Sequence, residues 1–129
     1  MLKIFSSIIA FLIVGALNLD PCHAEDFQFV DANDVTGYYV DMDSVETVNR
    51  STVAARIAVV KADANRMFVY DVRFNHVERT YRIIASQTLE YDSKNILETN
   101  NKPRDARAYA SGSEMAELID FILYGGDLP

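Results

Sequence analysis

Residues 66–93 read RMFVYDVRFNHVERTYRIIASQTLEYDS. Aromatic and β-branched side chains fill this stretch, polar ones sit between them, and neither Pro nor Gly interrupts it. Such a composition belongs to long antiparallel strands with one face buried and the other wet. Phe68, Tyr70, Val72 and Phe74 share one parity, and Met67, Val69, Asp71 and Arg73 share the other. Further on, Tyr81 and Ile83 share a face and Arg82 falls opposite. The stretch therefore predicts two long strands, with a turn at 75–78 and the second strand running from about 79 to 91.

Upstream, 52–61 reads TVAARIAVVK, with Val53, Ala55, Ile57 and Val59 on one parity. The alanines make a helix the rival reading. The β-branched residues and the Asp63-Ala64-Asn65 turn favour a strand that enters the central stretch by a hairpin. Phe27, Phe29 and Val30 open a first strand, 31–34 is expected as a turn, 37–41 as a short strand, and 42–45 as a tight turn or one 3₁₀ turn. Downstream, 92–95 reads as a turn. Ile96 and Leu97 begin another short strand, and 99–107 (TNNKPRDAR) is a polar loop. Ser111 and Glu114 have capping-box spacing. Met115, Leu118, Ile119 and Ile122 then recur at helical spacing, and Gly125-Gly126 is expected to stop the helix. One helix after a run of strands must bury its apolar face on the sheet. The expected fold is α+β: an antiparallel sheet of about five to six strands with one C-terminal helix packed on it.

The N-terminus predicts export. Lys3 supplies a positive start, Ile4 to Leu19 is apolar, and Cys22-His23-Ala24 places small residues at a cleavage site before Glu25. The apolar run of about 16 residues is short of the roughly 20 that cross a bilayer, so a signal peptide over 1–24 is expected in place of an anchor. The mature domain is then 25–129, enough for one core. It keeps no cysteine, because Cys22 leaves with the signal, and His76 is its one histidine. Disulfides, thiol catalysis and cysteine-based zinc sites are excluded from it. Lys3 and Asp20 cancel, so the net charge stays at −7, which repels nucleic acid and anionic headgroups.

Candidate chemistry is sparse. Asp41 and Asp43 have the i, i+2 spacing that opens many calcium loops, but no Gly at the bend and no closing Glu follow. His76 has no second ligand. Arg56, Arg73, Arg79 and Arg82 are spread through strands, where pairing with Asp71, Glu78 or Glu90 is ordinary sheet decoration. Asn49-Arg50-Ser51 is a sequon of the kind that arises by chance. No phosphate loop or nucleophile elbow is present. No catalytic, cofactor or metal residue is expected, and the chain reads as a non-enzymatic protein.

Several motifs in order resemble the surface-adhesin protein E-like family of exported bacterial domains. They are Tyr38-Tyr39-Val40-Asp41-Met42-Asp43-Ser44-Val45, the strand ending near His76 with Arg79-Thr80-Tyr81-Arg82 after it, the Tyr91-Asp92 turn, and the terminal helix over 111–124. Family members often carry a Cys near the position of His76 and another near the end of the terminal helix, and this chain has neither. The resemblance implies an antiparallel sheet crossed by the C-terminal helix, a bacterial envelope or surface location, and adhesion to an envelope or extracellular protein. The alternative is a periplasmic small-ligand carrier or enzyme inhibitor. Nucleic acid and stable membrane insertion after cleavage are not expected. An open groove between helix and sheet would favour the carrier; a packed helix with an exposed aromatic or strand-edge patch would favour adhesion.

Overall fold

The computed structural model describes residues 27–124. Six strands follow one another in space as they do in sequence: β1 (Phe27–Asn33), β2 (Thr36–Thr47), β3 (Thr52–Lys61), β4 (Arg66–Asn75), β5 (Thr80–Glu90) and β6 (Ile96–Asn100). Each pairs antiparallel with the next. A two-residue strand, β7 (Arg107–Ala108), returns to β5, and α1 (Glu114–Tyr124) ends the described chain. The class is α+β, as expected. The sheet is larger than five to six strands, because part of the 99–107 loop pairs with β5 and makes a seventh. The expected signal peptide over 1–24 and the Gly125-Gly126 stop lie outside the described residues. Among the described residues no helix is long and apolar enough to cross a membrane.

The β3–β4 hairpin carries the sheet. Its register runs from Lys61↔Arg66 to Thr52↔Asn75 without a break. A 3₁₀ turn (Ala62–Ala64) makes the connection, and Asn65 completes it in the left-handed region at φ 53°, which Asn tolerates better than most residues. Asn65 also accepts from the next turn: its carbonyl takes the Tyr91 N–H at 3.2 Å and its Oδ1 the Asp92 N–H at 3.0 Å. Two neighbouring hairpin ends are thereby fastened together.

The core lies between α1 and one sheet face. Val40, Val53, Ile57, Val72 and Phe74 meet Ala116, Leu118, Ile119 and Ile122 there. These are the inward parity of β3 and β4 and the expected apolar stripe of the helix. The opposite sheet face is not simply wet, as the alternation had suggested. Ala58, Val60, Met67, Val69 and Leu89 form a second buried cluster there, joined by Phe27 and Tyr39. The register places Val60 beside Met67 and Met67 beside Leu89, so small and long apolar side chains interlock across three strands.

Three local expectations are corrected. Residues 31–33 are not a turn: β1 continues through them to the Asn33↔Thr36 pair, and the turn is Asp34-Val35. Residues 42–45 are not a turn: β2 continues through them, and its pairing with β3 jumps from Asp41↔Arg56 to Glu46↔Ala54. The Ser44 hydroxyl holds this irregularity, donating to the Asp41 carbonyl at 2.6 Å and accepting the Arg56 N–H at 2.7 Å. It stands in for ladder hydrogen bonds that the extra residues displace. The helix cap is Ser113, not Ser111: the Ser113 hydroxyl accepts the Ala116 N–H at 3.2 Å and donates to the Ala110 carbonyl at 2.6 Å. Ser111 accepts instead from the Arg79 guanidinium.

Candidate ligand-binding cleft

The helix comes nearest to β1 and β2; its core reaches Val72 and Phe74 at one end of β4, and the other half of the β4–β6 face, with Phe68 and Tyr70, is only partly buried. A bulge fills that half with polar groups. Val72 pairs with Ile83 while Asp71 pairs with Ala85, so Ile84 is an extra residue in β5. The parity of β5 switches there. Tyr81 and Ile83 lie on the helix side before the bulge, and Ser86 and Thr88 lie on that same side after it, opposite Tyr70 and Phe68. Unbroken alternation would have put Leu89 on this face. The bulge sends Leu89 to the second cluster, where it is wholly buried.

Between β6 and β7 the segment 101–106 runs along the free edge of β5. Its anchor is Arg104. The Arg104 N–H donates to the Ile83 carbonyl at 2.9 Å, the Arg82 Nε donates to the Arg104 carbonyl at 2.7 Å, and Arg104 Nη2 donates to Ser86 Oγ at 3.1 Å. Backbone and side chain are thus tied to the same strand. Under this segment lies a cleft of about 580 Å³ that reaches Tyr81 and Ile83 on the sheet and Lys102, Arg104 and Arg107 on the segment. A second hollow of about 200 Å³ adjoins it across Arg104 and Asn100, with Tyr70, Ser86 and Glu98 on its walls.

The charge of the cleft runs against that of the chain. The chain carries −7, yet the larger cavity gathers Lys102, Arg104 and Arg107 against Asp105. Among the described residues these cations form no ion pair, and the held hydrogen bond of Arg104 goes to a neutral hydroxyl. Tyr70 is half-buried. Burial pushes its phenol above the ordinary tyrosine value, partly offset by the positive charge of Arg104, so the proton stays on and the phenol is a donor at neutral pH. The cleft therefore offers cationic and hydroxyl donors over a floor that is aromatic and aliphatic.

The residues weighed from the sequence lie elsewhere. Asp41 is buried, and its carboxylate accepts the Asp43 N–H at 3.1 Å. This supports the β2 irregularity. Among the described residues no group of three or more His, Cys, Asp or Glu is arranged to hold a metal ion. His76 sits in the β4–β5 turn, where its N–H meets the Ser51 carbonyl at 3.0 Å. Asn49 Oδ1 accepts from the Ser51 N–H at 2.9 Å and so shapes the β2–β3 turn. Arg56 pairs with Asp71 at 2.8 Å, as cross-strand decoration predicts. Arg79 instead lies 5.6 Å over the Tyr109 ring, which with the Ser111 bond pins the chain just before the helix. At the other margin of α1, Asp31 on β1 faces Glu117. A shared hydrogen bond lowers Asp31 and raises Glu117, and nearby Glu114 and Asp120 raise Glu117 further.

No family model matches the chain, and neither does any curated protein or solved structure. Sequence reasoning passed over Tyr70, Ser86, Lys102, Arg104 and Arg107 as site residues. Their signal was faint but present: KPRDAR is a cationic run in an acidic chain. The turn that brings it over the sheet face was not legible.

Proposed function

We propose that this chain is an exported, non-enzymatic binding module of the bacterial envelope or surface, and that the cleft beneath segment 101–106 is its contact site. The observation that carries this reading is the half-covered sheet face. A domain whose helix served only to close its core would fill that space with apolar side chains; here it holds a cationic cleft anchored through Arg104. The binding role is favoured over catalysis by the setting of Ser86, whose hydroxyl neighbour is a guanidinium that accepts no proton. The N-terminal export pattern supports the location. The order of the sequence motifs supports placement in the surface-adhesin protein E-like family, with an envelope or extracellular protein as partner.

A carrier role is the second reading, and the cleft volume favours it. About 580 Å³ falls within the range of small-molecule sites. The test is retention from envelope and extracellular extracts on immobilised wild-type protein and on Arg104→Glu, with the retained proteins identified by mass spectrometry. A partner held by wild type and lost from Arg104→Glu supports a protein-binding cleft. Equal retention by both places the contact elsewhere on the domain.

A further inference from the structure

Resting on the carrier reading of the cleft, we infer that its ligand is a small organic oxyanion: a carboxylate or phosphate carried on an apolar, ring-sized body. Three independent features converge on this chemistry.

The first is a cation fixed before any ligand arrives. Arg104 is held at its N–H, at its carbonyl and at one guanidinium nitrogen. One donor is used on Ser86, and the remaining donors of the fork stay available for an oxyanion, which a guanidinium binds in bidentate fashion. Because Arg104 is already ordered, little rotamer freedom is lost on binding.

The second feature is local charge. Lys102 and Arg107 flank Arg104 and have no carboxylate partner among the described residues. An anion entering the cleft meets an excess of positive charge on a protein whose net charge would otherwise repel it. Asp105 and Glu98 lie on the walls and disfavour a ligand charged along its whole length. They restrict the anion to one end.

The third feature is the floor. Tyr81 and Ile83 on β5 line the larger cavity, and Phe68 and Tyr70 on β4 line its neighbour. A ring can stack there, while the Tyr70 phenol remains a neutral donor. Inorganic phosphate would satisfy the guanidinium and leave this surface wet. A neutral ring would cover the floor and leave the cations unused. A ligand with both parts uses both.

The experiment is calorimetric titration of the purified protein with phenyl phosphate, phenylacetate, inorganic phosphate and benzyl alcohol. Saturable one-to-one binding is expected for at least one aromatic anion, and the tighter of the two names the oxyanion. Inorganic phosphate and benzyl alcohol should each bind roughly tenfold more weakly or not at all. Arg104→Gln should weaken the aromatic anion roughly tenfold or more, as expected for a lost charge-assisted hydrogen bond. Lys102→Gln should weaken it less and blunt its salt dependence. Lys102 is exposed, so this variant tests the cleft without relying on an anchoring residue. Arg73→Gln, exposed on the other sheet face, should change nothing. Absence of saturable binding by both aromatic anions overturns the inference, as does binding that Arg104→Gln and Lys102→Gln leave unchanged. If Arg104→Glu loses an extract partner while neither aromatic anion binds, the cleft is a protein-contact surface and the small-anion inference fails by itself. If the anion binds and extract retention is the same for wild type and Arg104→Glu, the inference holds and protein contact through the cleft fails.

Discussion

Truncating Leu118 to Ala should cost this domain a large part of its stability. The side chain is 1 % exposed and sits among Val40, Val72 and Phe74 of the sheet. Removing three carbons from such a site forfeits about 2 kcal/mol of transfer free energy. A residual cavity of roughly 50 Å³ adds about 1 kcal/mol more at about 24 cal/mol per Å³. The expected loss is therefore about 3–4 kcal/mol, against about 5–15 kcal/mol for a typical whole domain. No described residue is a cysteine, so apolar contact must do what a helix-to-sheet disulfide would otherwise do. Ile122→Ala, at 7 % exposure, should lose about 2–4 kcal/mol for the same reason. Glu117→Ala and Leu123→Ala lie on exposed positions and should each lose under about 1 kcal/mol. Urea melts of the four variants with a common slope provide the comparison, and the thermal midpoint of Leu118→Ala should fall by at least about 10 °C. If Leu118→Ala and Ile122→Ala both melt like wild type, the helix is not part of the core, and its apolar face is a surface for a partner.

Ser44→Ala should destabilise by about 1–3 kcal/mol, read by urea melts, because it strands the Asp41 carbonyl and the Arg56 N–H that the hydroxyl joins; a loss no larger than that of an exposed Ser such as Ser93→Ala would show that water replaces it freely. The Asp31–Glu117 pair predicts a small pH effect. Glu117 is raised in the fold, so its ionisation opposes folding and the stabilising shared proton is present only below its raised value; Asp31 is lowered, so its contribution is lost as pH falls through that lowered value. Glu117→Gln, which donates at every pH, should be slightly more stable than wild type at neutral pH, and the gap should close in mild acid; a gap independent of pH between neutral and mildly acidic buffer would refute the pairing. Protein recovered from the envelope should begin at or near Glu25 on N-terminal sequencing, and recovery of the intact chain from the inner membrane would make the apolar run an anchor.

The strands were legible where apolar residues alternate without interruption. β3 and β4 pair in an unbroken register, so period-2 reading of 52–61 and 66–75 located both. The buried residues of the helix were legible for the same kind of reason, since Leu118, Ile119 and Ile122 fall at helical spacing. Irregular places were misread. Met42-Asp43-Ser44-Val45 has the composition of a turn, but tertiary pairing on both sides of it keeps the chain extended and turns Ser44 into a bridge. The apolar second face was hidden because Met67 and Val69 share a parity with Asp71 and Arg73; burial changes along a single strand as the sheet twists. The cleft was hidden by the extra residue Ile84. A bulge leaves no mark in composition, and it moves Ser86 and Thr88 to the face where Tyr81 and Ile83 already lie.

The sequential order of the strands also bears on how the chain folds. From β1 to β6 every strand meets its chain neighbour, so each pairing closes only a short loop and the sheet can zip outward from the β3–β4 hairpin. The helix is different. It is the last described element, and its nearest strands, β1 and β2, are the first. Its docking requires the longest closure among the described elements and a sheet surface that already exists. Helix contacts are therefore expected to form on the native side of the folding barrier, and mutations in α1 should change the unfolding rate more than the folding rate. Strengthening them slows escape from the native state without hastening arrival, which makes α1 a latch on the lifetime of the fold and the β3–β4 hairpin the element that governs how soon the fold appears.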